Sequence, residues 1–272
     1  MAIMLGGAQL TATEGEDAAT SATVFATSSG SANTKGTYAE LVASTAHRAN
    51  GFWLIVRSGG NSGDFLLDVA IGSGGSEQVI VANVLFTRQA RRWAYPPLYV
   101  PLAIPAGTRI AFRVQCTTAS STLGAEVVLV AGGTMNAGGA QLATTYGANT
   151  GDSGGVSIDP GGTINTKGAY SEITSATTAP IHWLILAIGN QNNAVASTAS
   201  WLIDIAIGAA AAEQVVIGNL EVVCDSNEDM PLPALFAVPV SIPAGTRLAV
   251  RSQCDISDAT DRRLDAVLIG VG

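Results

Sequence analysis

Residues able to do chemistry are sparse in this chain, and most of them come in pairs. One run, Gly151-Asp152-Ser153-Gly154-Gly155, spells the sequence around the nucleophile of serine proteases, and Thr45-Ala46-His47 faintly echoes their histidine segment. Such a serine needs an imidazole within hydrogen-bond reach and a carboxylate that orients the imidazole. Ser153 sits instead in a polar Gly-rich stretch, and the matching stretch of the first half, Ala19-Thr20-Ser21, has no such sequence. A motif without its structural context reads as a loop. His47 and His182 occupy non-equivalent places and, with three cysteines, give no zinc spacing. Asp255, Asp258 and Asp261 cluster near the last turn, but the glycine and closing glutamate of a calcium loop are missing. A solvated acidic turn is the expectation there. The Gly-rich loops lack the strand, Lys and Ser/Thr combination of a phosphate site. The chain is therefore expected to be no enzyme and to need no cofactor or metal.

The charges that recur call for a structural reading. Asp68 and Asp204 each lie in a strand-like run of Leu, Ile and Val, and Arg113 and Arg251 each lie on the polar face of another. A buried Asp needs a partner, so an Asp–Arg pair or network is expected in each half, covered by the N-terminal segment of that repeat. Lys35 with Glu40, and Lys167 with Glu172, are expected to form a second set. Trp53 and Trp183 also match, as core or sheet-face aromatics.

One loop differs between the halves. Arg88, Arg91, Arg92, Trp93 and Tyr95 in the first are replaced by Asp225, Glu228 and Asp229 in the second. Opposite charges on equivalent loops suit contact between neighbouring subunits of a ring, since complementarity fixes register and partner choice. The rival use of the basic loop is binding of phosphate, nucleic acid or sugar by its Arg and aromatic residues.

These pairs exist because one unit is written twice. Asn33-Thr34-Lys35-Gly36 returns as Asn165-Thr166-Lys167-Gly168, Leu67-Asp68-Val69-Ala70-Ile71-Gly72 as Ile203-Asp204-Ile205-Ala206-Ile207-Gly208, and Ile104-Pro105-Ala106-Gly107-Thr108-Arg109 as Ile242-Pro243-Ala244-Gly245-Thr246-Arg247. The spacing drifts from 132 residues to about 139, as a few loop insertions would produce. A unit of this size can bury its own core. Two domains are expected, 1–133 and 134–272, joined near Gly132-Gly133-Thr134.

Within a unit the hydrophobic period is two. Ile110, Phe112, Val114 and Cys116 alternate with Arg109, Ala111, Arg113 and Gln115. Strand-like runs fall near 21–27, 37–43, 51–57, 64–71, 77–84, 97–103, 108–116 and 124–131, punctuated by Gly, Ser, Asn or Pro. Eight short strands without helices predict an all-β fold: two tandem, similar, antiparallel β-sandwich domains of jelly-roll type. The 47% hydrophobic and 12% charged content suits a folded chain. A net charge of -8 argues against nonspecific nucleic-acid binding. The start has neither a basic region nor an apolar run of signal-peptide type, and no stretch approaches a membrane span. Synthesis in a cytoplasm is the expectation, with Cys116, Cys224 and Cys254 as free thiols.

The run of Asn-Thr-Lys-Gly-x-Tyr-x-Glu, Leu/Ile-Asp-Val/Ile-Ala-Ile-Gly, Glu-Gln-Val and Ile-Pro-Ala-Gly-Thr-Arg resembles a group of virion-associated structural proteins of tailed phages and prophages. The similarity covers most of each repeat. It implies a non-enzymatic β-sandwich part of a virion, whether capsid decoration, collar, tail or fibre component. Its partners would be itself, as a trimer or ring, and other virion proteins. The alternative is a carbohydrate- or receptor-binding module of a phage fibre, for which Trp93, Tyr95 and Tyr99 are the candidates.

Overall fold

The computed structural model describes residues 4–5, 8–14, 16–17, 22–58, 63–88, 97–131, 142–189, 199–224, 236–256 and 262–272. In the first half, β1 (Met4–Leu5), β2 (Ala8–Glu14) and β3 (Glu16–Asp17) precede the eight strands expected from the alternation. These are β4 (Ala22–Thr27), β5 (Ala39–Val42), β6 (Gly51–Ser58), β7 (Gly63–Ile71), β8 (Gln78–Arg88), β9 (Leu98–Val100), β10 (Ile110–Cys116) and β11 (Thr122–Ala131). One sheet runs β4-β11-β6-β9, with β2 also pairing β11; the other runs β5-β10-β7-β8. Counting the eight strands in chain order, the sheets hold 1-8-3-6 and 2-7-4-5. That interleaving is a jelly roll, and all its pairings are antiparallel.

The second half repeats the plan. After β12 (Ala143–Tyr146) come β13 (Val156–Ile158), β14 (Ser171–Thr174), β15 (Ile181–Gly189), β16 (Ala199–Ile207), β17 (Gln214–Cys224), β18 (Phe236–Ile242), β19 (Leu248–Cys254) and β20 (Leu264–Val271). Its sheets are β13-β20-β15-β18, with β12 beside β20, and β14-β19-β16-β17. The expected join at Gly132–Thr134 lies outside the described residues.

Each sandwich packs its alternating apolar set inward: Phe52, Leu54, Phe112 and Leu129 in the first, Leu184, Trp201, Leu248 and Leu268 in the second. The core of the first half continues across the boundary into Ala143, Ile185, Ala187, Val267, Ile269 and Val271. Those residues form the outward face of the second half's five-stranded sheet, and β8 packs against its strands β12, β15 and β20. The two halves are therefore fused through a largely apolar, buried face.

Close approach fixes one repeated glycine. A Cβ on Gly36 would stand 1.8 Å from the Thr27 carbonyl oxygen, and one on Gly168 would stand 2.2 Å from that of Asp159. This is the glycine of Asn-Thr-Lys-Gly, and it lets the segment bearing Lys35 or Lys167 cross under the strand end. Gly36→Ala and Gly168→Ala are each expected to cost about 2–3 kcal/mol in denaturant unfolding. Gly74→Ala, with nothing within 4 Å, should change stability by less than about 0.5 kcal/mol.

Candidate functional site

The most built polar sites are two copies of one cluster. Where β7 pairs β8 the register shifts between Leu67 and Val69, and where β16 pairs β17 it shifts between Ile203 and Ile205. The skipped residue is the repeated aspartate. Opposite it, Asn83 and Asn219 take left-handed φ values of 53° and 55°, a conformation Asn tolerates. The bulge turns their amides toward the carboxylate: Asn83 N–H donates to Asp68 Oδ1 at 2.9 Å and Asn219 N–H to Asp204 Oδ1 at 3.0 Å.

Lys35 Nζ reaches the same Asp68 oxygen at 2.8 Å and also donates to the Leu66 carbonyl at 2.9 Å. Arg113 Nε takes Asp68 Oδ2 at 2.9 Å, and its guanidinium stacks 4.7 Å above the Tyr38 ring. Lys167, Arg251 and Tyr170 repeat this around Asp204 at 2.8, 2.9 and 4.5 Å. Both aspartates are buried. Burial pulls the Asp204 carboxyl upward, but hydrogen bonds from Lys167, the Asn219 amide and Arg251 outweigh it and hold the group below its ordinary range. Burial lowers the Lys35 amine despite the attraction of Asp68.

Asp68 with Arg113 and Asp204 with Arg251 thus sit together, and each pair has a lysine that the sequence reading assigned elsewhere. Glu40 and Glu172 are bound not by Lys35 and Lys167 but by Arg109 and Arg247, each at 2.6 Å. The same guanidiniums hold a second carboxylate, Glu77 at 3.2 Å and Glu213 at 3.0 Å.

Ser153 is a tie between the halves. It is fully buried, with a φ of 63°, and its hydroxyl donates to Asn33 Oδ1 at 2.9 Å. Gln115 Nε2 donates to Ser153 Oγ at 3.0 Å and to the Thr150 carbonyl at 2.9 Å. Asp152 spends its oxygens on Asn149 Nδ2 and the Gly154 amide. His47 and His182 are both exposed. Asp255 accepts from the Ser200 amide at 2.8 Å, while Asp258 and Asp261 lie outside the described residues. Cys116 and Cys254 are buried free thiols.

The charged loops of the ring expectation, Arg91, Arg92, Trp93, Tyr95, Asp225, Glu228 and Asp229, also lie outside the described residues, as does the side chain of Arg88 at the end of β8. Tyr99 does not stand free. Only 6% exposed, it packs between Trp53, 5.1 Å away, and Trp183, 6.5 Å away. The tryptophans are not equivalent. Phe52 pairs Val100 and Leu184 pairs Val238, and both valines stand at the same distance before Ile-Pro-Ala-Gly-Thr-Arg. Phe52 therefore matches Leu184, Trp53 matches Ile185, and Trp183 matches Gly51.

One carboxyl went unnoticed in the sequence because only the fold buries it. Asp64, at the start of β7, faces the second half and is pushed up to about 7 by burial, with Asp265 and Asp152 adding to the shift and the Thr87 hydroxyl, donating at 2.5 Å, opposing it.

No protein-family model matches this chain, and no curated protein matches it. Among solved structures it is similar to PNGF-II, with 7% identity, a TM-score of 0.38, 92% of this chain covered and 65% of that one. The chain thus spans about two-thirds of the length of that protein. It is also similar to PNGase F, a glycosylasparaginase from Flavobacterium meningosepticum, at 10% identity and a TM-score of 0.34, covering 92% of this chain and 96% of that one. The tandem CBM22 domains of Paenibacillus barcinonensis Xyn10C follow at 13% identity and a TM-score of 0.26, covering 100% and 93%. One expectation is corrected by these neighbours. The sequence reading took the chain for no enzyme; an amidase stands among the structures similar to it, so that exclusion is withdrawn. TM-scores this low carry neither the amidase's activity nor its substrate to this chain.

Asp68→Asn and Asp204→Asn should each cost about 3 kcal/mol in denaturant unfolding, because each leaves a lysine and an arginine without their shared buried anion. For Asp64 the sign runs the other way. Its folded-state pKa of about 7 lies above the ordinary carboxyl value of 3.8, so the folded chain binds the extra proton and stability falls as pH rises between those values. Asp64→Asn should flatten that fall and raise Tm at pH 8 by about 5 °C in a thermal melt.

Proposed function

We propose that this chain is a structural component of a tailed-phage particle, acting through protein–protein assembly as a capsid decoration, collar, tail or fibre part. The observation that carries the reading is what the repeated motifs do. Asn-Thr-Lys-Gly, the Asp strand and Ile-Pro-Ala-Gly-Thr-Arg bear the resemblance to virion-associated proteins, and all three furnish the charges that brace each jelly roll from within. Braced sandwiches fused through a buried face make a stiff block. A stiff block loses little conformational freedom when it joins others, which favours assembly. On this reading the chain resides in the virion, after synthesis in the host cytoplasm, and its partners are copies of itself and other virion proteins.

The second reading, a carbohydrate- or receptor-binding fibre module, calls for exposed aromatic rings. Trp53, 37% exposed, meets that need; Tyr99 is spent in the stack.

Phage particles from a lysogen or infected culture, banded on a density gradient and probed with an antibody to this chain, test the proposal. The chain should band with intact particles in a fixed ratio to the major capsid protein. A chain found only in the soluble fraction overturns it, and saturable binding to a glycan panel by that soluble chain would establish the second reading instead.

A further inference from the structure

The contact that fuses the two halves uses one face from each, and each half also carries the face that the other contributes. In the chain, β8 of the first half lies on β12, β15 and β20 of the second. Thr145 Oγ1 donates to the Ala82 carbonyl, and Gly189 makes room for two β8 side chains. A Cβ on Gly189 would lie 2.8 Å from Thr87 Oγ1 and 2.9 Å from Leu85 Cδ2. Call β8 the inserting strand and β15 the receiving one.

The second half has its own inserting strand. β17 matches β8 residue for residue, Gln214 for Gln78 and Asn219 for Asn83, with the same bulge. Among the described residues nothing covers it as β8 is covered. Ile80, Leu85 and Thr87 are buried, whereas their counterparts Val216 and Val223 are each 40% exposed and Glu221 is exposed; Val215 next to them is 47% exposed. The first half likewise has its own receiving strand, β6, on which Trp53, Ile55 and Arg57 match Ile185, Ala187 and Gly189. Ile185 and Ala187 are fully buried under β8; Trp53 and Arg57 are 37% and 39% exposed.

The two open faces have changed in compensating ways. On the receiving side each residue is larger than its counterpart: Trp for Ile, Ile for Ala, Arg for Gly. On the inserting side two are smaller, Val216 for Ile80 and Gly218 for Ala82. At the point where Leu85 meets Gly189 in the chain, the open faces would bring Glu221 to Arg57. Arg57 already holds Glu126 at 3.1 Å, and Arg109 and Arg247 show that a guanidinium here readily holds two carboxylates.

We infer that the occupant of the open β17 face is a second copy of this chain, seated through the open β6 face of that copy in the geometry that already joins the two halves. The inference deepens the assembly reading above and rests on it. The contact is heterologous, so repetition generates a closed ring of jelly rolls, two per chain, or an open filament. Volume and charge at matched positions are complementary, which is how an interface fixes its register.

Light scattering on the purified full chain, from about 1 to about 100 μM, spans the affinities of ordinary interfaces and tests this directly. The wild type should form multiples of the chain mass. Val216→Asp with Val223→Asp, at exposed positions, should weaken association at least about tenfold, a loss of about 1.4 kcal/mol, with an unchanged circular dichroism spectrum. Glu221→Arg should weaken it as well, because it sets a like charge against Arg57, and Glu221→Gln, which keeps the shape without the charge, should weaken it less. A wild type that stays monomeric, or an oligomer indifferent to the β17 substitutions, overturns the inference. The gradient experiment separates the two proposals: a particle-bound monomer sinks this one alone, and an oligomer absent from particles sinks the virion reading alone.

Discussion

A buried carboxylate at a strand bulge organises each half of this chain. The bulge between β7 and β8 removes Asp68 from the ladder and frees the Asn83 amide, and the same happens with Asp204 and Asn219. A charge so placed is costly unless donors surround it. Three donors converge on each aspartate, from three parts of the chain: the neighbouring edge strand, the strand carrying Arg113 or Arg251, and the segment carrying Lys35 or Lys167. The cluster therefore pins the crossing segment onto the β5-β10-β7-β8 sheet, or onto its repeat. The glycine after the lysine, which has no room for a Cβ, serves the same crossing. The second set, with Arg109 or Arg247 holding two glutamates, closes the other end of the same sheet.

Much of this could be read from the sequence, and the failures have physical causes. The eight strands per repeat were visible because alternation of apolar and small polar residues is local. The Asp–Arg pairs were visible because their residues sit in recognisable strands. Lys35 was assigned to Glu40, five residues away, since sequence proximity was the available guide; in the fold it reaches 33 residues along the chain to Asp68. The left-handed Asn83 that makes the carboxylate site is a property of strand register, and register is not local. The same limit misled the comparison of Trp53 with Trp183, which match in letters and stand two positions apart on the sheet. Asp64 gave no signal at all, because the second half supplies its burial.

The serine motif shows how a duplicated chain diverges. Asn33 and Gln115 belong to the first half and Ser153 to the second, so the loop that spells a nucleophile exists to tie one repeat to the other. Gly189 against Arg57 and Leu85 against Glu221 follow the same rule: the braced interior is conserved between the copies, and the faces change according to whether the chain itself covers them.

That division also explains how the halves meet. β8 and β17 are edge strands, and an edge strand with free backbone groups invites strand-to-strand addition. The bulge at Asn83 and Asn219 breaks the regular ladder in mid-strand and turns one amide inward to the aspartate. An edge interrupted in this way is a poor template for another strand. Contact is left to the side-chain faces, where shape and charge decide the partner. In the first half that face is satisfied within the chain by Ile185, Ala187 and Gly189 on β15. In the second it keeps valines and a carboxylate, a surface suited to selective face-to-face packing rather than to indiscriminate edge pairing. The bulge that creates the buried charge thus also confines association to surfaces that sequence can tune.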